Sequence, residues 1–395
     1  MTDDRPSIVF LTPVLPASGG NGLAMRAGLF LDGMARRHAV TVAVVPVAGP
    51  PRTGDRLAVR LAASCLTLSL ADPDELRRWP SVLLATPEGR HRARRLYPLP
   101  ALCRRPSARA ERELQGLVEQ ASLVHIMRSY LAPCLDFAFD DQSRPPITLD
   151  VDELDSGVQR QLGCQEQAER FERLERYYIP RADQVYTAAA EDARIIRECY
   201  GARQVSTVAN AVRPPAPAGS VDASYDLLFV GNLSYPPNVD AARWLCEQIR
   251  PLLGEVTIAV VGSAPGPETR ALAALPGVTV AADVPDVSPW YAAARIAVAP
   301  LRIGGGTRTK IVEALAHGRP VVTTPVGASG LEVGEDRGVL TASTTEEFAA
   351  ICRRLMRDPA AAARIAAAGQ PKVTMAEEVA GQIDRLSCAA RAHHG

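Results

Sequence analysis

The sequence predicts an α/β protein made of two successive doubly wound parallel-sheet domains. Three observations carry this. Short β-branched runs alternate with helical patterns from end to end. The length of 395 residues exceeds one ordinary core. The alternation stops once, in the proline-rich stretch "AVRPPAPAGSVDASY" (211–225), and then restarts.

In the first half, "SIVFLTPV" (7–14) reads as a strand leading into the glycine-rich turn "ASGGNG" and the amphipathic "LAMRAGLFLDGMARR". "AVTVAVVPV" (39–47), "LVHIM" (123–127), "PITLDVD" (146–152) and "QVYTAA" (184–189) are further strands. Between Glu153 and Arg181, Phe171, Leu174 and Tyr178 fall at i, i+3 and i+7, the spacing of a helix. After the break come strands "DLLFVGN" (226–232), "VTIAVVG" (256–262), "VTVAAD" (278–283), "RIAVAPL" (295–301) and "PVVTTP" (320–325), with a helix from about Val239 to Leu253. Two such units joined by a hinge predict a ligand cleft between them, lined by loops at the carboxyl ends of the strands.

Bulk properties exclude several classes. With 47% apolar and 22% charged residues the chain reads as a soluble globular protein, and a formal net charge of zero does not suggest duplex DNA as partner. No aromatic platform motif supports RNA binding. Eight widely spaced cysteines include no CxxC and no His/Cys cluster, which speaks against zinc or redox motifs and for a reducing compartment. The N-terminus is acidic and its apolar run short and broken by prolines, so a strand is expected there and not a targeting segment or membrane span. A cytoplasmic protein is expected. Lysine occurs at only two positions, Lys310 and Lys372, against 42 arginines.

Lys310 lies in "RIGGGTRTKIVEAL" (302–315). This is not a Walker loop, because Thr309 precedes and Ile311 follows the lysine, nor a dinucleotide fingerprint, because Thr309 stands where the third glycine belongs. What remains is a strand, a glycine turn, Thr307 as candidate N-cap and a helix ended by Gly318. Ile311, Val312 and Leu315 are expected to face the sheet, with Lys310, Glu313 and His317 on another face. Glycines let a phosphate approach bare N–H groups at a helix start, and Arg308 and Lys310 add positive charge there. One turn further in, Glu313 suits the vicinal hydroxyls of a ribose. Phosphate and ribose at this spacing describe a nucleoside diphosphate. The plainer reading is a glycine turn before a surface helix with a charged face.

The blocks "LLFVGNLSYPPNVDAARWL", "VTIAVVGSAP" and "VTVAADVPDVSPWYAAARIAVAPLRIGGGTRTKIVEALAHGRPVVTTPVGASGLEV" resemble glycosyltransferase family 4, retaining enzymes of the GT-B fold. Weaker likeness lies in "FLTPVLPASGGNG", "SLVHIMRSYLAP", "LDVDELDS", "RADQVYTAAAEDARII" and "VSTVANAV". The resemblance implies two Rossmann-like domains facing a central cleft. It implies a UDP-, GDP- or TDP-sugar donor held by the second domain, an acceptor held by the first, and transfer with retention. No metal or other cofactor is expected. The implied acceptor is a glycan, a lipid or a specialised metabolite. The implied division is 1–212, a linker at 213–224, 225–375, and a terminal helix at 376–395 packing back toward the first domain.

By position, Glu313 matches the family glutamate that binds donor ribose. Gly231 and Asn232 stand where the diphosphate passes, and Gly304, Gly305, Gly306 and Thr307 where donor sugar and diphosphate are met. Gly19 and Gly20 match the turn that approaches the reacting centre from the first domain. Three departures stand out. The first glutamate of the family's E-x7-E pair is replaced by Gly305. "GNLSYPPN" lacks the arginine and lysine that hold the diphosphate in many members, which leaves Arg308 and Lys310 as local substitutes. His125 falls near the position of a family histidine beside the anomeric carbon, but a buried structural histidine fits the same place. Asp150 and Asp152 alternate at a strand end and are candidates on the acceptor side, or loop caps.

The segment 77–105 carries eight arginines. It reads either as a solvated arginine-rich helix or as a patch for weak, peripheral docking on the inner membrane face. Rival functions are a nucleotide-sugar epimerase of the same fold, an inert nucleotide-sugar-binding module, and a nicotinamide-dependent oxidoreductase. The last is disfavoured by the broken fingerprint.

Overall fold

A computed structural model describes residues 5–19, 22–47, 57–72, 87–141, 143–212, 224–304 and 309–369, with 379, 381 and 383. Two compact units form, one around Leu23–Ala209 and one around Asn210–Val373.

The first unit holds a seven-stranded parallel sheet: β1 (Ser7–Thr12), β2 (Ala39–Val44), β3 (Ser64–Thr67), β4 (Leu123–Met127), β5 (Ile147–Asp152), β6 (Gln184–Thr187) and β7 (Val205–Thr207). Their order is β3-β2-β1-β4-β5-β6-β7, so the winding reverses between β1 and β4. Every residue of β4 is buried, as a strand covered on both faces requires, and apart from His125 it reads as an apolar run. The helix Gly22–Ala35 packs Phe30, Leu31 and Met34 into the core without exposure.

The second unit repeats the plan with β8 (Tyr225–Val230), β9 (Ile258–Gly262), β10 (Val278–Ala282), β11 (Ala294–Ala299), β12 (Val321–Thr323) and β13 (Val339–Thr341). Their order is β10-β9-β8-β11-β12-β13, reversing between β8 and β11. The expected pair of doubly wound parallel sheets is therefore present.

Several local expectations change. The stretch 153–181 is not one helix but Asp155–Gln161 and Gln165–Tyr178, followed by a 3-10 turn at Ile179–Arg181. Gly163 sits between them at φ +74°, a left-handed conformation that ends a helix and that a side chain resists. Phe171, Leu174 and Tyr178 are buried as their spacing requires. The helix expected from Val239 begins at Pro236, because proline's fixed φ and missing N–H suit a first turn. It widens to a π-type segment over Trp244–Ile249 and ends at Leu253. Strands β3, β7 and β13 had no counterpart in the reading of the sequence. Each has three or four residues and lies at a sheet edge, where one side has no strand to pair with and the apolar signal fades.

Gly20, Gly305, Gly306, Thr307 and Arg308 lie outside the described residues, as do 213–223 of the expected linker, 77–86 of the arginine-rich segment and most of 376–395. Of that segment's arginines, Arg92 and Arg105 are turned inward onto Asp136. Among the described residues, no helix is long and apolar enough to cross a membrane.

Candidate functional site

In doubly wound sheets, ligands bind at the carboxyl ends of the strands where the winding reverses. In the second unit that point lies after β8 and β11, and the residues there are Gly231, Asn232, Leu301 and Gly304. Gly262 at the end of β9 permits the turn after β8, since a Cβ there would stand 1.7 Å from the Gly231 carbonyl oxygen. Asn232 fixes the turn: its Oδ1 accepts from Ser234 N at 3.0 Å and Ser234 Oγ at 2.8 Å. Gly304 is buried at φ +128°.

The helix Thr309–Ala316 starts beside this turn, and Ile311, Val312 and Leu315 bury themselves against the sheet. Lys310 reaches to the turn. Its Nζ donates to Asn238 Oδ1 at 2.5 Å and stands 4.5 Å from the centre of the Phe229 ring. A Cβ on residue 231 would meet that Nζ at 3.0 Å. Lys310 and the Gly231–Asn232 turn are thus brought together.

Glu313 lies one turn further along, only 7% exposed. The Tyr291 hydroxyl donates to its Oε2 at 3.1 Å, and the His317 ring stacks on Tyr291 with centroids 4.6 Å apart. Burial pushes the Glu313 carboxyl up to about 7; the Tyr291 hydrogen bond and the Lys310 charge pull it down, and Asp286 adds to the rise. Burial likewise lowers the His317 imidazole. Asn238 and Tyr291 were not picked out from the sequence. Asn238 stands in the "GNLSYPPN" segment noted for lacking a cation, and an amide there was the available clue.

The first unit gathers charge at the carboxyl ends of β4 and β5. Arg26 is 1% exposed and binds Asp150 through both oxygens, Nε to Oδ2 and Nη2 to Oδ1, each at 2.7 Å. Its Nη1 donates to the Val208 carbonyl at 2.8 Å. Asp150 has no exposed surface and serves as a buried counter-ion of Arg26. Asp152 keeps 17% exposure and accepts from Arg128 Nη1 at 3.2 Å. Arg128 also binds Asp155 at 2.6 Å. Arg128 and Asp152 both have positive φ, 74° and 60°, where non-glycine residues are uncommon. Gly19 is exposed, with open space where a Cβ would stand.

His125 is fully buried within β4. Its ring stacks on Phe30 at 4.6 Å, and Nδ1 lies 2.7 Å from Thr148 Oγ1. Thr148 Oγ1 also lies 3.3 Å from the Val124 carbonyl oxygen, and Nε2 has no hydrogen-bond partner among the described residues. Burial and the Arg26 charge lower the imidazole to about 3, holding it neutral. The ring is packed without exposed surface, the buried structural arrangement that the sequence left open.

Residues 224–358 match the family described as glycosyl transferases group 1. No curated protein matches the chain in sequence. Among solved structures, sucrose-phosphate synthase from Thermosynechococcus elongatus is similar at a TM-score of 0.69 and 16% identity, covering 98% of this chain and 100% of that one. Anabaena Alr3699/HepE in complex with UDP and glucose is similar at 0.64 and 14%, covering 98% and 100%. WaaG, a glycosyltransferase involved in lipopolysaccharide biosynthesis, is similar at 0.62 and 14%, covering 98% of each chain. The chain therefore has the GT-B fold, and its second unit is the part that matches the glycosyl transferases group 1 family.

Proposed function

We propose that this protein is a retaining glycosyltransferase that moves a sugar from a nucleoside-diphosphate sugar to a glycan, lipid or small-molecule hydroxyl. One observation carries the reading. A lysine ammonium is held at the glycine turn of the β8/β11 reversal point, with a buried carboxyl one helical turn beyond it. The family match over the same residues supports nucleotide-sugar chemistry, and the UDP and glucose held by the similar HepE structure make a UDP-sugar the first donor to test.

In this reading Lys310, with Arg308 and the N–H groups of Gly304 to Thr307, receives the diphosphate. Glu313 accepts hydrogen bonds from the ribose hydroxyls. Negative charge grows on the departing diphosphate as the anomeric C–O bond breaks, and cations placed beforehand lower that barrier. The acceptor hydroxyl enters from the face the diphosphate leaves, which retains configuration, and its proton passes to the leaving phosphate oxygen. No metal is needed where side-chain cations do this work. Asp152, the accessible carboxylate of the first unit's charged cluster, is assigned to the acceptor side.

Thermal-shift screening against UDP-, GDP- and TDP-sugars tests the reading, since a ligand of the folded state raises the melting temperature by mass action. A rise with one nucleotide, lost in Glu313→Ala, supports it. Turnover should fall much further in Lys310→Ala than in Lys372→Ala. Absence of any shift at millimolar nucleotide sugar would refute the assignment.

A further inference from the structure

We propose that Asn238 is a positioning residue that holds the Lys310 ammonium in place for the diphosphate without cancelling its charge. The inference rests on the diphosphate reading of the site and adds a residue that reading does not include.

Asn238 is 7% exposed and lies in the first turn of the helix Pro236–Arg243. Its carboxamide is used at both ends. Nδ2 donates to the Asn232 carbonyl at 2.9 Å, and Oδ1 accepts from Lys310 Nζ at 2.5 Å. The two bonds fix the orientation of the amide, because an ammonium has no lone pair to accept with and a carbonyl no proton to donate. The Phe229 ring lies on another side of the ammonium, and the bare Cα of Gly231 leaves room for it. A lysine stem has four rotatable carbons and loses much freedom when its head is fixed. Here a second helix and the turn after β8 fix it together.

The choice of an amide matters. A carboxylate at 238 would hold the ammonium more tightly but neutralise it, and would repel an arriving diphosphate. An apolar side chain would leave the lysine without its acceptor. An amide supplies the hydrogen bond without adding a negative charge of its own. This segment lacks the cations expected after the strand, and Asn238 draws one in from a helix 72 residues later.

The scarcity of lysine makes a direct test possible. Competitive acetylation with mass-spectrometric readout compares Lys310 with Lys372, the one other lysine of the chain, as internal reference. Loss of the acceptor in Asn238→Ala should raise the labelling rate of Lys310 about fivefold, because the ammonium gives up its proton more readily. Asn238→Asp should lower the rate by a similar factor. A merely structural role would not move the two variants in opposite directions. Both variants should lose most of the protection that UDP, GDP or inorganic pyrophosphate gives wild-type Lys310, and kcat should fall about tenfold in each. In a Lys310→Ala background, Asn238→Ala should add little further loss. If Asn238→Ala does not fold, the Asp variant still reads the sign. Unchanged labelling in the variants would overturn the role of Asn238. The expected changes in labelling, but with no anion protecting wild-type Lys310, would overturn the diphosphate reading and with it any part Asn238 plays in turnover.

Discussion

The Tyr291 hydroxyl donates to Glu313 Oε2 at 3.1 Å and so opposes the burial that raises this carboxyl to about 7. Burial and that pairing act in opposite directions on the charge of the residue assigned to the ribose, and only the ionised form accepts from both hydroxyls. Nucleotide affinity should therefore rise with pH through about 7 as Glu313 loses its proton. In Tyr291→Phe the midpoint should move higher, because the lost hydrogen bond favoured the charged form. At pH 7 the variant should bind about fivefold more weakly, the worth of roughly 1 kcal/mol. Calorimetric titration with the preferred nucleotide over a pH series checks this; a flat profile for wild type would remove Glu313 from the site.

Glu175 gives a pH effect on stability. It has no exposure, accepts from Ser156 N at 3.0 Å and from Tyr200 Oη at 3.1 Å, and is raised from 4.5 to about 7, chiefly by burial and then by Asp155. A raised carboxyl binds its proton more tightly in the fold. Its contribution to stability is fully present below 4.5 and is lost as pH rises through about 7. Glu175→Gln cannot ionise, so its stability relative to wild type should improve between pH 4.5 and pH 8 by on the order of 3 kcal/mol. Urea unfolding at the two pH values measures the difference.

His125 has the opposite sign. Its imidazole is lowered from 6.5 to about 3, so it stays neutral in the fold while the unfolded chain takes up a proton. That contribution is present above 6.5 and is lost as pH falls toward 3. His125→Phe should close part of the gap in melting temperature between pH 7.5 and pH 5. It should also leave kcat within about fivefold, whereas loss of a general acid or base costs about a hundredfold or more. A hundredfold fall with an intact melting curve would return His125 to the chemistry.

Asp150→Asn should be severely destabilising. It removes the bidentate counter-ion of the Arg26 guanidinium, 1% exposed, leaving Asp152 at 3.6 Å, and breaking such a buried pair costs about 3–5 kcal/mol. Asp152→Asn, at a partly exposed position, should cost about 1 kcal/mol and act mainly on the KM for acceptor. Chemical denaturation and steady-state kinetics on the two variants separate the roles.

The sheets were legible because strands covered on both faces are rich in β-branched and apolar residues, as β1 and β8 show, with the polar exceptions in β4 and β5 being His125, Thr148, Asp150 and Asp152. The edge strand β3 reads poorly because three of its four residues are exposed. In the site, Lys310 and Glu313 were legible from helical spacing and from lysine's rarity. Asn238 and Tyr291 were not, because nothing local ties a residue to a partner 72 or 22 positions away. Asp150 and Asp152 alternate along one strand and look equivalent in sequence. The crossing helix separates them by bringing Arg26 to 2.7 Å from Asp150, fully buried, but only to 3.6 Å from Asp152, which keeps 17% exposure.

Arg26 spans 124 residues to Asp150 and 182 residues to the Val208 carbonyl. On the ribosome, then, the guanidinium is made long before its partners. About half the polypeptide must emerge before this ionic clasp can shut, and contacts of such long range are slow to form. Nascent chains stalled short of residue 208 should remain sensitive to protease and lean on chaperones, and those released soon after it should not.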